Sequence, residues 1–144
     1  MSNVAATRRI VPASRAAAVA VRGTAPGGLA PCPPAPPQPW ADLPKVLELA
    51  RRPNVVIKVS GACTLSREPY PFADIWDPLA RVFDAWGFDR CLWGTDWTRA
   101  FAVVNYEQAV RPFLDTDRLS DTERAMLMGG ACARAYGWSP RASS

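Results

Sequence analysis

The chain contains no histidine among its 144 residues. That absence excludes a Ser-His-Asp triad or a Cys-His pair built within the chain. It also removes the commonest ligand for zinc and similar metals. Catalysis by these residues would need carboxylates alone, or groups supplied from elsewhere. Acidic residues are missing before Asp42, whereas Arg8, Arg9, Arg15 and Arg22 are basic. Without those four arginines, thirteen basic residues balance thirteen acidic ones. The net charge of +4 is therefore a property of the N-terminal segment. A nucleic-acid-binding face needs a basic patch on the folded part, and no such patch is present. No apolar run approaches the roughly 18 residues of a membrane span, and Ala16 to Val21 is too short for a signal-peptide core. No C-x-x-C pair occurs. Cys32, Cys63, Cys91 and Cys132 are widely separated, which argues against a zinc ribbon or a dithiol redox site. Free thiols in a reducing, cytoplasmic setting are the expectation.

Proline is abundant but uneven, with seven of the fifteen between Pro26 and Pro39. Residues 1–39 are rich in Ala, Pro, Gly and Arg. They offer few large apolar side chains to offset ordering entropy. A disordered tail with polyproline II character is expected there, and Pro31–Pro39 could serve as a docking motif for a proline-recognition domain.

Order is expected from Trp40. Leu43, Val46, Leu47 and Ala50 recur at helical spacing, and Pro53 stops the helix. Asn54–Ser60 is a short β-branched run closed by Gly61, as in a buried parallel strand. Ala62–Ala73 reads as a long loop. Asp74 is expected to cap a helix reaching Trp86, with Gly87 closing it. Arg90–Asp96 reads as a second strand. Tyr106, Val110 and Phe113 mark a further helix. Ser120 and Glu123 form a capping box that opens a final helix, closed by Gly137. The class is α/β. Two strands joined through a helix should be parallel. Two such strands alone leave faces and edges uncovered, so the body reads as part of something larger.

Chemistry in (β/α) barrels sits at the C-terminal ends of the strands. Ser60 and Gly61 end the first strand, ahead of a loop with Arg67 and Tyr70. Gly94, Thr95 and Asp96 end the second. Alternation groups Val56, Lys58 and Ser60, and likewise Leu92, Gly94 and Asp96. Asp96 is a candidate general base or metal ligand, though a strand-end aspartate also suits a turn or a helix cap. Lys58 is expected to be packed or ion-paired. Trp40, Trp86, Trp93 and Trp138 are expected as core contacts. Asp115, Asp117 and Asp121 suit a solvated loop and a helix start, not a calcium loop.

Three ordered segments carry a resemblance. They are Asn54-Val55-Val56-Ile57-Lys58-Val59-Ser60-Gly61, Asp89-Arg90-Cys91-Leu92-Trp93-Gly94-Thr95-Asp96-Trp97, and Gly129-Gly130-Ala131-Cys132-Ala133-Arg134-Ala135-Tyr136-Gly137. Together they resemble the end of the amidohydrolase-2 family. The resemblance covers residues 40–140 and implies the last two strands and following helices of a (β/α)₈ barrel. It implies metal-dependent hydrolysis of a lactone or similar cyclic ester, or a related decarboxylation. By the same resemblance Asp96 is the strand-eight aspartate, a metal ligand or proton acceptor. Arg67 and Tyr70 would hold carboxylates of a carboxylated lactone, and the cofactor would be zinc or manganese. The family's histidines have no counterpart here, and Thr98 stands where proline usually follows the Asp-Trp pair. Three outcomes are therefore open: a truncated, inactive chain that retains no metal, a subunit completed by another chain, or a non-catalytic interaction protein using the proline-rich segment.

Overall fold

The computed structural model describes residues 38–138, together with the backbone of residues 17–20. Three parallel strands form one sheet, in the order β1 (Ala17–Ala20), β2 (Val55–Ser60) and β3 (Cys91–Gly94). Ala17 is in register with Val55, Ile57 with Cys91, and Ser60 with Gly94. The helices are α1 (Leu43–Leu49), α2 (Trp76–Trp86), α3 (Trp97–Ala100), α4 (Tyr106–Leu114), α5 (Asp121–Ala125) and α6 (Ala131–Tyr136). A π-helical turn over Met126–Gly130 joins the last two.

The β2–α2–β3 unit is parallel, as its spacing predicts. One expectation fails at the N-terminal side. Ala17–Ala20 lies within the span expected to be structureless, yet it pairs along the outer edge of β2. A bare parallel edge exposes a row of backbone donors and acceptors, and even a short alanine run satisfies them. The remainder of 1–37, including the Pro31–Pro37 part of the docking motif, lies outside the described residues.

Proline at the first turn of α1 fits its missing N–H. The α2 helix buries Trp76, Leu79, Val82, Phe83 and Trp86 on one stripe and ends at Gly87. Asp74 does not cap α2. A 3₁₀ turn over Ala73–Ile75 precedes that helix, and the Asp74 carboxylate turns back to the preceding loop instead. Both later helices begin with reciprocal caps. Asn105 pairs with Gln108 and Ser120 with Glu123, so side chains satisfy otherwise orphan backbone N–H groups.

Ile57, Val59, Leu79, Val82, Trp86, Cys91 and Leu127 are fully buried in the core between sheet and helices. Trp76 and Trp93 pack on Phe113 at centroid distances of 5.5 and 5.9 Å. Trp40 and Trp93 are partly buried against this core, whereas Trp138 is exposed, contrary to expectation. The Ala62–Ala73 segment is only half a loop. Its first turn buries Ala62, Cys63 and Leu65.

The Arg90 guanidinium ties three elements together. It donates to the carbonyl oxygens of Trp86 at 2.8 Å, Ala50 at 3.0 Å and Arg52 at 3.1 Å. It also lies over the Trp86 ring, 5.2 Å from the centroid. The C-terminal ends of α1 and α2 thus meet at the start of β3.

The two faces of the sheet differ. Val55, Ile57, Val59 and Cys91 belong to the core. On the opposite face Val56 is half-buried, Lys58 is exposed, and Leu92 is buried outside the main core. No helix among the described residues is long and apolar enough to cross a membrane.

Candidate functional site

The C-terminal ends of β2 and β3 come together through Gly61. Its N–H donates to the Gly94 carbonyl at 3.2 Å, extending the ladder one step beyond β2. Gly61 then turns at φ 63°, a conformation costly for residues with a Cβ. A methyl group there would lie 3.1 Å from Asp96 Cβ. Gly61 therefore gives Asp96 room. The Thr64 hydroxyl donates to the Gly61 carbonyl at 2.7 Å and holds the turn.

Asp96 lies just past the end of β3, not on the strand as the sequence suggested. Its backbone is left-handed, φ 50° and ψ 48°. Aspartate tolerates that region better than most residues, and such geometry concentrates where function demands it. Its carbonyl accepts from Ala100 N–H at 3.1 Å as α3 begins. The carboxylate is half-buried beside Gly61.

Arg67 and Tyr70 follow β2 at the same end of the sheet, and both are exposed. The Asp74 carboxylate accepts from Arg67 N–H at 2.8 Å and from the Ser66 hydroxyl. Arg67 lines a shallow groove of about 460 Å³ with Gln38, Trp40, Leu65 and Asp74. Neither Asp96 nor Tyr70 lines that groove. Tyr70 instead sets its ring edge-on to Phe72 at 5.7 Å. The three residues singled out from the sequence thus share one end of the sheet but not one cavity. Beyond Asp96, Trp97 packs on Tyr106 at 5.5 Å and lines a second open groove of about 520 Å³.

Two side chains matter more than their sequence context suggested. Lys58 packs through its stem alone. It is exposed on the central strand, and no ion pair involves it among the described residues. Every acidic residue of the chain lies within that described part. A methyl group on Gly94 would meet Lys58 Cε at 3.3 Å, so the lysine stem lies across that glycine. The signal was a single cation inside the apolar run 55–59. Cys91 is the other. It is fully buried, and that burial pushes its thiol up to about 12. Arg90 pulls the other way and Asp89 adds slightly to the rise.

A catalytic zinc takes three protein ligands. Among the described residues no three His, Cys, Asp or Glu side chains converge on a possible metal position. The chain has no histidine to add. The residues present do not fit such a metal.

Comparison with known proteins identifies relatives of this chain. The chain is 35% identical over 97 residues to the L-fucono-1,5-lactonase of Burkholderia multivorans, covering 62% of this chain and 32% of that protein. It is 38% identical over 56 residues to the 4-sulfomuconolactone hydrolase of Hydrogenophaga intermedia, covering 39% of this chain and 18% of that one. A crystal structure of a Burkholderia multivorans amidohydrolase with bound zinc superposes with a TM-score of 0.60 at 30% identity. That superposition covers 70% of this chain and 37% of the other. The chain thus spans about a third of the lactonase's length. The amidohydrolase family profile matches residues 27–138, a span that takes in β2, β3, Asp96 and the closing helices, and the chain belongs to that family.

Proposed function

We propose that these residues form the last strands and closing helices of a (β/α)₈ barrel that hydrolyses a small lactone or similar cyclic ester. The observation that carries this reading is the seat of Asp96. It combines a strand-end carboxylate, a left-handed backbone and a glycine that clears space beside it. Functional residues of such barrels lie at this end of the strands. The lactonase named among the relatives and the zinc in the related crystal structure support the reaction class.

In the completed barrel Asp96 would accept the proton of the attacking water. Gly61 keeps the approach to its carboxylate open. Arg67 and Tyr70 stand on the loop after β2 at the rim of the same end. The chain lacks the ligands for a metal, so histidines must come from outside these 144 residues, from a complementing chain or segment.

The test is complementation. The purified chain is mixed with the part of the lactonase relative that it does not match, with zinc or manganese, and hydrolysis of L-fucono-1,5-lactone is followed. The chain alone should be inactive. The mixture should turn over, and Asp96→Asn should lower the rate by about 10²–10⁴-fold. A complex that forms but stays inactive, or an Asp96→Asn complex as fast as the parent, would overturn the reading.

A further inference from the structure

The groove beyond Asp96 takes no part in the reaction proposed above. It is lined by three aromatic side chains that meet solvent: Trp97, Phe101 and Tyr106. The Trp97 ring stands between the other two, 5.5 Å from Tyr106 at 68° and 6.5 Å from Phe101 at 56°. Rings set steeply to one another leave slots for rigid apolar groups. Exposed Val103 continues the surface. A contiguous exposed apolar patch of this kind marks a binding site more often than a scatter of single residues does.

The polar lining is one-sided. The side-chain oxygens of Asn105 and Gln108 are taken up by the reciprocal cap of α4. What each amide still offers is its NH2 group, a donor. No charged side chain lines the groove. Its complement is an uncharged apolar strand, rich in acceptors and poor in donors.

This chain carries such a strand. Pro31–Pro37 reads Pro-Cys-Pro-Pro-Ala-Pro-Pro, without a charge. Only Cys32 and Ala35 have a backbone N–H there. Polyproline II leaves its carbonyl oxygens free, and it docks on aromatic-lined grooves with little loss of entropy. We infer that the Trp97–Tyr106 groove is a binding site for a proline-rich strand, and that its occupant is Pro31–Pro37 of the same chain.

Both ends of the connecting stretch are within reach. Ala20 is in register with Lys58, so β1 ends toward the same side of the sheet as Ser60 and Gly94. At about 4.8 Å per strand, β1 lies about 10 Å from β3. At the other end, Gln38 lines a groove with Leu65, whose turn, Ala62–Leu65, contacts α3. Pro31–Pro37 spans about 20 Å at 3.1 Å per residue, enough to run from Gln38 across the aromatic groove.

The test reads the tryptophan indole N–H signals of the ¹⁵N-labelled full chain, with Trp97 assigned through Trp97→Phe. In a variant of equal length, Pro31, Pro33, Pro34, Pro36 and Pro37 are all replaced by serine. Its Trp97 signal should move from the parent position. A synthetic peptide of residues 30–39, carrying Cys32→Ser, should return it saturably. Exposed Trp138, outside the groove, should stay still. The parent should need about tenfold more peptide or more, because its own segment competes at millimolar effective concentration. A second variant does not depend on the serine chain folding. In Cys132→Ser, with Cys63 and Cys91 buried, a nitroxide on Cys32 should broaden Trp97 more than Trp138. Tyr106→Ala should remove that difference.

A Trp97 signal that is the same in parent and serine variant and ignores the peptide overturns the inference. So does a Trp97 signal that follows protein concentration instead, which marks a second copy in the groove. So does nitroxide broadening that is absent, or equally strong in Tyr106→Ala, which marks a nearby tether and no docking.

Discussion

Replacing Arg90 by methionine should destabilise the fold far more than removal of an ordinary surface arginine. Methionine keeps a stem of similar length but carries no donor. The substitution deletes the bonds to Trp86 and Ala50, both part-buried, and the more exposed one to Arg52. Each part-buried bond from a charged donor contributes about 1–1.5 kcal/mol after competition with water. The contact with the Trp86 ring adds about 0.5 kcal/mol. The expected loss is about 3 kcal/mol, a large share of the roughly 5–15 kcal/mol that holds a typical domain. Urea unfolding followed by tryptophan fluorescence measures it. With a slope of about 1.5 kcal/mol per molar, the midpoint should fall by about 2 M. Arg90→Lys should recover only part of the loss, because an ammonium cannot span carbonyls arranged for a planar fork. Arg51→Met is the control. Its side chain is 79% exposed and pairs with Glu48 at 3.1 Å, so about 0.5 kcal/mol or less is expected. If Arg90→Met and Arg51→Met shift the midpoint equally, Arg90 does not join the ends of α1 and α2 to β3.

The remaining predictions concern the buried thiol, the strand-end turn and one helix cap. The Cys91 thiol is raised from 9.0 to about 12, so the unfolded chain ionises first as pH rises. Its contribution is complete below pH 9.0 and is lost progressively toward about 12. At pH 10.5 the loss should be about 2 kcal/mol relative to pH 8. Urea melts should show Cys91→Val free of that component. Exposed Cys132 should react with a thiol reagent in the folded chain while Cys91 stays protected, as peptide mass mapping would show; equal labelling would contradict the burial of Cys91. Gly61→Ala should cost about 1 kcal/mol for the left-handed backbone alone and crowd Asp96 in addition. An unchanged melt would refute the close approach. Asn105→Ala removes the side chain that accepts from Gln108 N–H at 2.9 Å and should cost about 1 kcal/mol. Asn105→Ser should restore most of it.

Much of the architecture could be read from local patterns. The apolar stripe of α2, the Ser120 and Glu123 cap and the β-branched run of β2 depend on neighbouring residues, and the structure repeats them. What escaped depended on distant partners. Ala17–Ala20 has no β-branched residue besides Val19, and its strand exists because β2 offers an edge. Asp74 reads as a helix cap, but Ser66 and the Arg67 N–H compete successfully for its carboxylate. At the site, Asp96 was visible through the glycine before it, although its left-handed backbone was not. Lys58 was visible as a residue type, yet only the arrangement of helices on one face of the sheet shows that it meets solvent.

That one-sided sheet has an energetic consequence. The face bearing Val56, Lys58, Ser60 and Gly94 carries little large apolar surface, with Leu92 already buried. Joining the rest of a barrel to it would remove little additional hydrocarbon from water there, and apolar area is what drives most associations. Assembly would rest on strand-edge hydrogen bonds along β3 and on helix packing around the rim. Bonds of that kind exchange readily with water. A completed barrel made from separate pieces should therefore come apart on dilution, and its activity should rise more steeply than linearly with concentration.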